Sequence, residues 1–176
     1  LDRDTSGCLV IAKKPSVQKA MQANWENFQK RYYALVAGQW SRKTQWVNAP
    51  LLKNILQSGE RMVKVSQTGK PALSEFAIVQ GWKDVTLVQV TLHTGRTHQI
   101  RVHAQYQQHC LLGDDKYGND HSKQITQQLG VKRLQLHAFE LMFQHPITGV
   151  MCHIQAEMPS DMQMIIKKLN GIGQKP

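Results

Sequence analysis

Several short stretches of this 176-residue chain are rich in branched hydrophobic residues, often with polar residues at alternate positions. This pattern predicts strands with one or both faces buried. The predicted strands span residues 8–12, 32–36, 45–52, 61–66, 73–80, 85–92, 133–143 and 150–156. The polar turn at 81–84 is short enough to join two of them as an antiparallel hairpin. A second turn is predicted at Gln57, Ser58 and Gly59.

Helices are predicted where hydrophobic residues recur at spacings of three and four, most clearly over 17–28, with Ser16 as the cap. The other predicted helices run from a cap at Thr97 toward His109, over 120–129 to Gly130, and from a cap at Ser160 through Leu169. The alternation of Ile100, Val102 and Ala104 fits a strand nearly as well as a helix. Strands and helices intermix without a regular repeat. The expected class is therefore α+β, with a mixed, mostly antiparallel sheet and flanking helices.

Length and charge narrow the class of protein. One domain is predicted over residues 1–176, because this length suffices to bury a single core. The net charge of +10 and the pI near 9.7 favour a polyanion partner, RNA or DNA, over a neutral metabolite. A soluble enzyme that is merely basic is the alternative.

Cysteine usage and hydropathy indicate the compartment. Cys8, Cys110 and Cys152 are widely spaced and form no C-x-x-C pair, so we expect reduced, buried thiols. No apolar run approaches the roughly 20 residues that span a bilayer, and no signal peptide is visible. A cytoplasmic protein without a membrane partner is therefore expected. A monomer is a separate expectation, which the sequence does not fix. Because the chain begins at Leu1, we also expect it to be a fragment of a longer protein.

The segment 94–103 carries two arginines, two histidines and a glutamine around Gly95, and it is the strongest candidate for chemistry. If the segment is helical, Arg96 and Arg101 diverge, so that one can reach a phosphate while the other turns inward. An inward arginine needs an anion, and a carboxylate matches it best in geometry and charge. A pair that only ties two loops together is as good an explanation as a catalytic one.

Two further candidates lie near the start of the chain. Asp2 precedes Thr5, Ser6 and Gly7, which can hold a carboxylate in one orientation, although such an aspartate is usually only a turn former. Tyr32 follows two cations on a predicted strand, and its ring can serve either as a stacking platform for an unstacked base or as part of the core. In the first case the neighbouring Tyr33 takes the core role.

A metal site is not expected among the eight histidines. His98 and His103 are five positions apart, a spacing that places them on different faces of a helix. His137 and His145 are predicted to be structural. The turn at 112–118 lies between two glycines, and its carboxylates, Asp114 and Asp115, are predicted to orient neighbouring loops.

Taken together, the motifs resemble those of the RluA family of pseudouridine synthases. The family motifs H-R-L-D-x-x-T-S/T-G, K-x-Y-x-A and G-R-T-H-Q-I-R-V-H match residues 1–7, 30–34 and 95–103. G-D-x-x-Y-G and R-L-x-L-H-A match residues 113–118 and 133–138. Two departures are that the opening His-Arg pair is absent and that Cys110 replaces a usual proline.

The resemblance implies roles for particular residues. Asp2 would be the catalytic nucleophile, Arg101 its salt-bridge partner, and Tyr32 the ring that stacks on the target uracil and assists proton removal from C5. The residues expected to contact RNA are Arg3, Lys30, Arg31, Arg96, Thr97, His98 and Gln99. Whether Asp2 attacks C1′ or C6, or acts as a base at C2′, stays open.

The resemblance also implies a reaction and a substrate. Uridine becomes pseudouridine without a cofactor or a metal, and residues 49–61 resemble members that modify 23S ribosomal RNA. Further catalytic strands and an S4-like RNA-binding domain are expected upstream. Two alternatives remain: a noncatalytic ribosomal RNA-binding or assembly module, and a metal-dependent nuclease built on His98, His103, Asp114 and Asp115.

Overall fold

A computed structural model describes residues 1–55 and 61–172. The strands are β1 (Ser6–Gly7), β2 (Gln29–Ala37), β3 (Thr44–Asn48), β4 (Leu51–Ile55), β5 (Arg61–Val65), β6 (Leu73–Gly81), β7 (Val85–Leu92), β8 (Leu136–Gln144) and β9 (Met151–Gln155). The helices are α1 (Pro15–Ala23), α2 (Gln99–Tyr106), α3 (Asp120–Leu129) and α4 (Ser160–Ile172), with a 3₁₀ turn at Trp25–Asn27.

Seven strands form one sheet in the order β1-β8-β2-β7-β6-β3, and β9 also pairs with β8. All pairings in this sheet are antiparallel except that between β1 and β8. The strands β4 and β5 form a separate antiparallel pair. These pairings confirm the predicted α+β class and the hairpin between β6 and β7.

Alternation along β2 divides the core into two layers. Ala34 and Val36 pack with Ile100 and Ala104 of α2 on one face of the sheet, called the front face here. Leu35 and Ala37 point to the back face, where α3 and α4 cover one end of the sheet. Because side chains alternate along a strand, Tyr32 lies on the front and Tyr33 on the back. Tyr33 stacks on Phe139 with ring centroids 4.0 Å apart, in the core role predicted for it.

The predicted strand at 8–12 is wrong. Only Ser6 and Gly7 pair with β8, through His137 and Ala138. From Glu140 onward the same edge of β8 is occupied by β9. Residues 8–12 therefore cannot continue the pairing of β1 along this edge of β8.

Two predicted boundaries also shift. The first helix begins at Pro15, with Lys14 rather than Ser16 at its cap, because proline suits the first helical position. The predicted strand at 45–52 divides at Ala49 and Pro50, since proline has no N–H for a ladder. The predicted turn at 57–59 lies outside the described residues. The helix at 120–129 ends at Gly130, as predicted, and Gly130 has a left-handed conformation.

The three cysteines are free, but only Cys110 is buried, whereas Cys8 and Cys152 are partly exposed. The prediction of three buried thiols is therefore wrong for two of them. Among the described residues, no helix is long and apolar enough to cross a bilayer.

Candidate active site

A cavity of about 500 Å³ opens on the front of the sheet, where β2 and β7 meet the turn that leads into α2. Three predicted catalytic residues, Asp2, Tyr32 and Arg101, line it together. Of the predicted RNA contacts, the cavity is also lined by Lys30, Arg96, Thr97, His98 and Gln99. Residues from three distant parts of the chain thus form one surface.

Asp2 and Arg101 form an ion pair across 99 positions of sequence. The Nη1 atom of Arg101 donates to Oδ2 of Asp2 at 2.9 Å. The carboxylate is 24% exposed and the guanidinium 11%, so the pair is largely shielded from water but open toward the cavity. The backbone N–H of Thr5 donates to the carbonyl of Asp2, which closes the turn that carries the carboxylate.

A second carboxylate holds Arg101 from behind. Asp114 has a fully buried side chain and binds the guanidinium with two hydrogen bonds, from Nε at 2.8 Å and from Nη2 at 2.7 Å. Its Oδ1 also accepts the backbone N–H groups of Lys116 and Tyr117 at 3.0 Å. Arg101 is therefore clamped between two carboxylates, and only Asp2 faces the cavity.

This clamp controls the charge of Arg101. Burial by itself lowers the pKa of a guanidinium, but the hydrogen bonds with Asp114 and then Asp2 outweigh it and raise the pKa of Arg101 above its ordinary value. A permanent positive charge therefore stays beside Asp2. Sequence reasoning predicted that Asp114 and Asp115 orient loops and missed that Asp114 orients Arg101. The sequence did contain a signal for this role. Asp114 follows Gly113 in the G-D-x-x-Y-G motif, and no basic residue had been assigned to it as a partner.

Tyr32 is half-buried, and its hydroxyl retains its proton. Burial raises the pKa of Tyr32 to about 12, with a further contribution from the negative charge of Asp2. At neutral pH a fraction on the order of 10⁻⁵ of such groups is ionised. The side chain thus offers a ring face and a neutral hydroxyl rather than a phenolate.

His98 lies beside Asp2 in an unusual backbone conformation. His98 rather than the predicted Thr97 is the N-cap of α2, and its φ of +53° is a left-handed geometry. Its Nδ1 is 2.7 Å from the hydroxyl of Tyr117, and its Nε2 is 3.9 Å from Oδ1 of Asp2. Burial lowers the pKa of His98, and the raising effect of Asp2 does not overcome this, so the ring is neutral at neutral pH.

Gln99 organises the turn before α2 instead of offering groups to RNA. Its side chain is 2% exposed. Its oxygen accepts from the Thr94 hydroxyl and the Arg96 backbone N–H, and its amide donates to the Leu73 carbonyl and the Ser74 hydroxyl. These four bonds use its full capacity. A direct contact between Gln99 and RNA, as predicted, conflicts with this geometry.

The basic residues differ in their availability. Lys30 is buried and donates to the Trp25 carbonyl at 2.9 Å, and burial lowers its pKa. Arg31, another predicted RNA contact, lies on the back face, is paired with Glu140 at 2.7 Å and does not line the cavity. Arg3 is 92% exposed at the rim of an adjoining groove. Arg96 lines the cavity while its Nε donates to the Pro71 carbonyl.

The two arginines and the two histidines make different contacts, although Arg96 and His98 precede α2, so their helical spacing is not the reason. Arg101 turns inward while Arg96 stays at the surface. His103 is fully buried and bonded to the Ser74 hydroxyl and the Ala49 carbonyl, on the side of α2 away from His98. In the part of the chain that the structure describes, no group of three or more His, Cys, Asp or Glu residues could hold a metal ion.

His137 is structural, as predicted. Its two ring nitrogens bond the Ser6 hydroxyl at 2.9 Å and the Ala156 carbonyl at 3.1 Å. The same holds for His145, whose Nδ1 accepts backbone N–H groups of the following turn.

The sequence model described as RNA pseudouridylate synthase matches residues 1–106, the part that carries Asp2, Tyr32 and Arg101. The chain belongs to this family. The ribosomal large subunit pseudouridine synthase C of Pasteurella multocida (strain Pm70) is 48% identical over 171 residues, and the match covers 96% of this chain and 52% of the relative. The protein with the same description from Escherichia coli (strain K12) is also 48% identical, over 173 residues, covering 96% of this chain and 54% of the relative. The chain thus spans about half the length of these curated relatives.

Solved structures support the same fold. Human RNA pseudouridylate synthase domain containing 1 has a TM-score of 0.76 at 24% identity, covering 90% of this chain and 67% of the human one. Human RNA pseudouridylate synthase domain containing 4 has a TM-score of 0.77 at 20% identity, covering 97% and 74%. The mixed α+β architecture is therefore that of pseudouridylate synthase domains.

Proposed function

We propose that this chain isomerises specific uridines of 23S ribosomal RNA to pseudouridine, with residues 1–176 forming the catalytic domain. Membership of the RNA pseudouridylate synthase family supports the reaction. The relatives described as large-subunit synthases support the ribosomal substrate. We also propose that the protein acts as a monomer on 23S ribosomal RNA, either free or in the assembling large subunit, and therefore in the cytoplasm.

The observation that carries the proposal is the geometry of one cavity. A carboxylate held by a permanent cation, Asp2 with Arg101, shares that cavity with the ring of Tyr32. A nucleophile or base must be ionised to act, and an adjacent cation favours the ionised form. Arginine suits this task because it does not lose its proton.

The reaction balances without a redox step. The N1–C1′ bond breaks, the uracil turns within the pocket, and C5 forms a new bond to C1′. The proton on C5 leaves to solvent and N1 gains one, so substrate and product have the same composition. In this scheme Asp2 either bonds to the nucleoside transiently or removes the C2′ proton, and both versions require its carboxylate.

Tyr32 is assigned to stacking. A pKa of about 12 disfavours a phenolate base at C5, whereas the ring face can hold an extruded uracil. Base–aromatic stacking contributes about 1–3 kcal/mol, which offsets part of the few kcal/mol needed to take the base out of its stack. The net charge of +10, the exposed Arg3 and the partly exposed Arg96 supply attraction to phosphates.

The test is the substitution Asp2→Asn, assayed with 23S ribosomal RNA whose uridines carry tritium at C5. Tritium is released only when C5 bonds to C1′. We expect Asp2→Asn to abolish release while RNA affinity stays within a few-fold, because a carboxylate contributes nothing attractive to a polyanion. Asp4→Asn is the control, since Asp4 is a nearby carboxylate paired with the exposed Arg3. Unchanged release by Asp2→Asn would reject the proposal.

The same experiment separates the alternatives. A noncatalytic RNA-binding module would bind RNA without releasing tritium in the unsubstituted protein. A metal-dependent nuclease would cleave the RNA, lose activity in EDTA and recover it with a divalent ion. Comparison of pseudouridines in 23S ribosomal RNA from cells with and without the gene would identify the modified positions.

A further inference from the structure

Tyr117 contacts three residues around the ion pair of Asp2 and Arg101, although it does not line the cavity. Its backbone N–H bonds Asp114, which clamps Arg101. Its ring lies under the guanidinium of Arg101, 5.0 Å from the ring centroid. Its hydroxyl is bonded to His98, which faces Asp2. The side chain is 2% exposed, so these contacts are made inside the protein.

The hydroxyl of Tyr117 is also tied to the hairpin formed by β4 and β5. The backbone N–H of Val63 in β5 donates to this oxygen at 3.1 Å. A backbone N–H can only donate, so the tyrosine oxygen must accept here. Its own hydrogen is then free to be donated, and among residues 1–55 and 61–172 the acceptor within hydrogen-bonding distance is Nδ1 of His98.

These two bonds select one tautomer of His98. If Nδ1 accepts the tyrosine hydrogen, the proton of the neutral imidazole must reside on Nε2. Nε2 is the ring nitrogen that faces Asp2. A neutral N–H donor thereby lies next to the carboxylate without adding a second positive charge.

The two oxygens of Asp2 therefore have different surroundings. Oδ2 accepts a hydrogen bond from Arg101 at 2.9 Å. Oδ1 lies 3.9 Å from Nε2 of His98, which is too long for a hydrogen bond. A small rotation of the carboxylate or the ring would close this gap, so His98 can set the direction of Oδ1 when substrate enters.

We propose that Tyr117 is a positioning residue that acts through His98: its hydroxyl fixes the imidazole as the Nε2–H tautomer and aims that N–H at Oδ1 of Asp2. The hairpin of β4 and β5 holds the hydroxyl in place through Val63. This inference rests on the proposed function for its effect on rate, but the tautomer is a property of the folded protein alone.

The first test removes only the hydroxyl, in Tyr117→Phe, which keeps the ring under Arg101 and the backbone bond to Asp114. We expect kcat for pseudouridine formation to fall about 3- to 10-fold, the effect of one neutral hydrogen bond, with KM for RNA nearly unchanged. Tyr106→Phe is the matched control, because Tyr106 is a 55% exposed tyrosine at the end of α2 that does not line the cavity. The control should retain the full kcat.

A double variant tests whether the hydroxyl acts through His98. Asn tolerates the left-handed conformation at this position, so His98→Asn removes the imidazole without forcing the turn. If the effect passes through the ring, Tyr117→Phe should cost nothing further in the His98→Asn background. A purely structural role of the hydroxyl would instead lower kcat by the same factor in both backgrounds and would overturn the proposal.

Nitrogen NMR of the histidine-labelled protein gives a readout independent of catalysis, with the His98 signals assigned by their loss in His98→Asn. The unsubstituted protein should show a protonated Nε2 and an unprotonated Nδ1, and Tyr117→Phe should show a mixture. A protonated Nδ1 in the unsubstituted protein would refute the proposal even if Tyr117→Phe failed to fold. If the tautomer is as expected but Asp2→Asn keeps full activity, the proposed function is wrong, whereas the positioning of His98 by Tyr117 is retained.

Discussion

Replacement of Asp114 by Asn tests whether the buried clamp maintains the ion pair of Asp2 and Arg101, the proposed catalytic pair. The change preserves the size of the side chain and removes its charge. If the remaining oxygen takes the place of Oδ1, it can still accept from Arg101 Nη2 and from the backbone N–H groups of Lys116 and Tyr117. The new amide group then faces Arg101 Nε, which donates to Oδ2 at 2.8 Å in the unsubstituted protein. Two donors would oppose each other in a site where the side chain is 0% exposed.

The expected loss of stability follows from this geometry. One charge-assisted hydrogen bond contributes about 1.5–3 kcal/mol, and an unsatisfied buried donor costs about 1–3 kcal/mol. Arg101 keeps its bond to Asp2, so its charge is not left unpaired. We therefore expect a loss near the lower end of the range for broken buried pairs, about 3 kcal/mol. For a domain of this length that lowers Tm by about 6–12 °C.

The measurement is thermal and urea unfolding followed by circular dichroism, combined with kcat from tritium release. Because Arg101 would lose part of its orientation, we expect kcat to fall by about 10- to 100-fold in the folded variant. Asp115→Asn is the control. Its carboxylate is exposed one position away, and such changes usually alter stability by less than about 0.5 kcal/mol. A Tm for Asp114→Asn within about 1 °C of the control would show that the clamp does not contribute as argued.

Two further predictions concern Tyr32 and Glu140. Tyr32→Phe should keep most of kcat/KM because the ring remains, whereas Tyr32→Ala should lose the stacking contribution, about 5- to 150-fold in kcat/KM; equal losses in the two variants would contradict the stacking role. Burial raises the pKa of Glu140. Hydrogen bonds from His153 and Gln155 and the charge of Arg31 lower it by a larger amount, so the net pKa is below 4.5. A lowered folded-state pKa means that the contribution to stability is present above about pH 4.5 and is lost as the pH falls through the folded value. Glu140→Gln should therefore be less stable than the unsubstituted protein at pH 7, and urea unfolding should show this difference shrinking toward pH 3; a difference independent of pH would refute the linkage.

Several features of the fold were predictable from local pattern. The alternation in 73–80 and 85–92, with a four-residue turn between them, suffices to predict the hairpin of β6 and β7. The Gly130 that ends α3 is recognisable because glycine adopts the left-handed conformation without steric cost. The motif over 95–103 was recognisable as a candidate site, since so many polar and charged groups around one glycine are rarely needed on a solvated surface.

What the sequence by itself determined is thus the type of most elements and a set of candidate catalytic groups, because both depend on neighbours within a few positions. Tertiary structure alone decided which groups meet. It joined Arg101 to Asp114 as well as to Asp2, and it enclosed Gln99 within the turn. It also left residues 8–12 without a partner strand. The physical reason is competition. A strand edge or a buried charge pairs with the group that the whole fold places beside it. The local sequence around either partner does not show which group that will be.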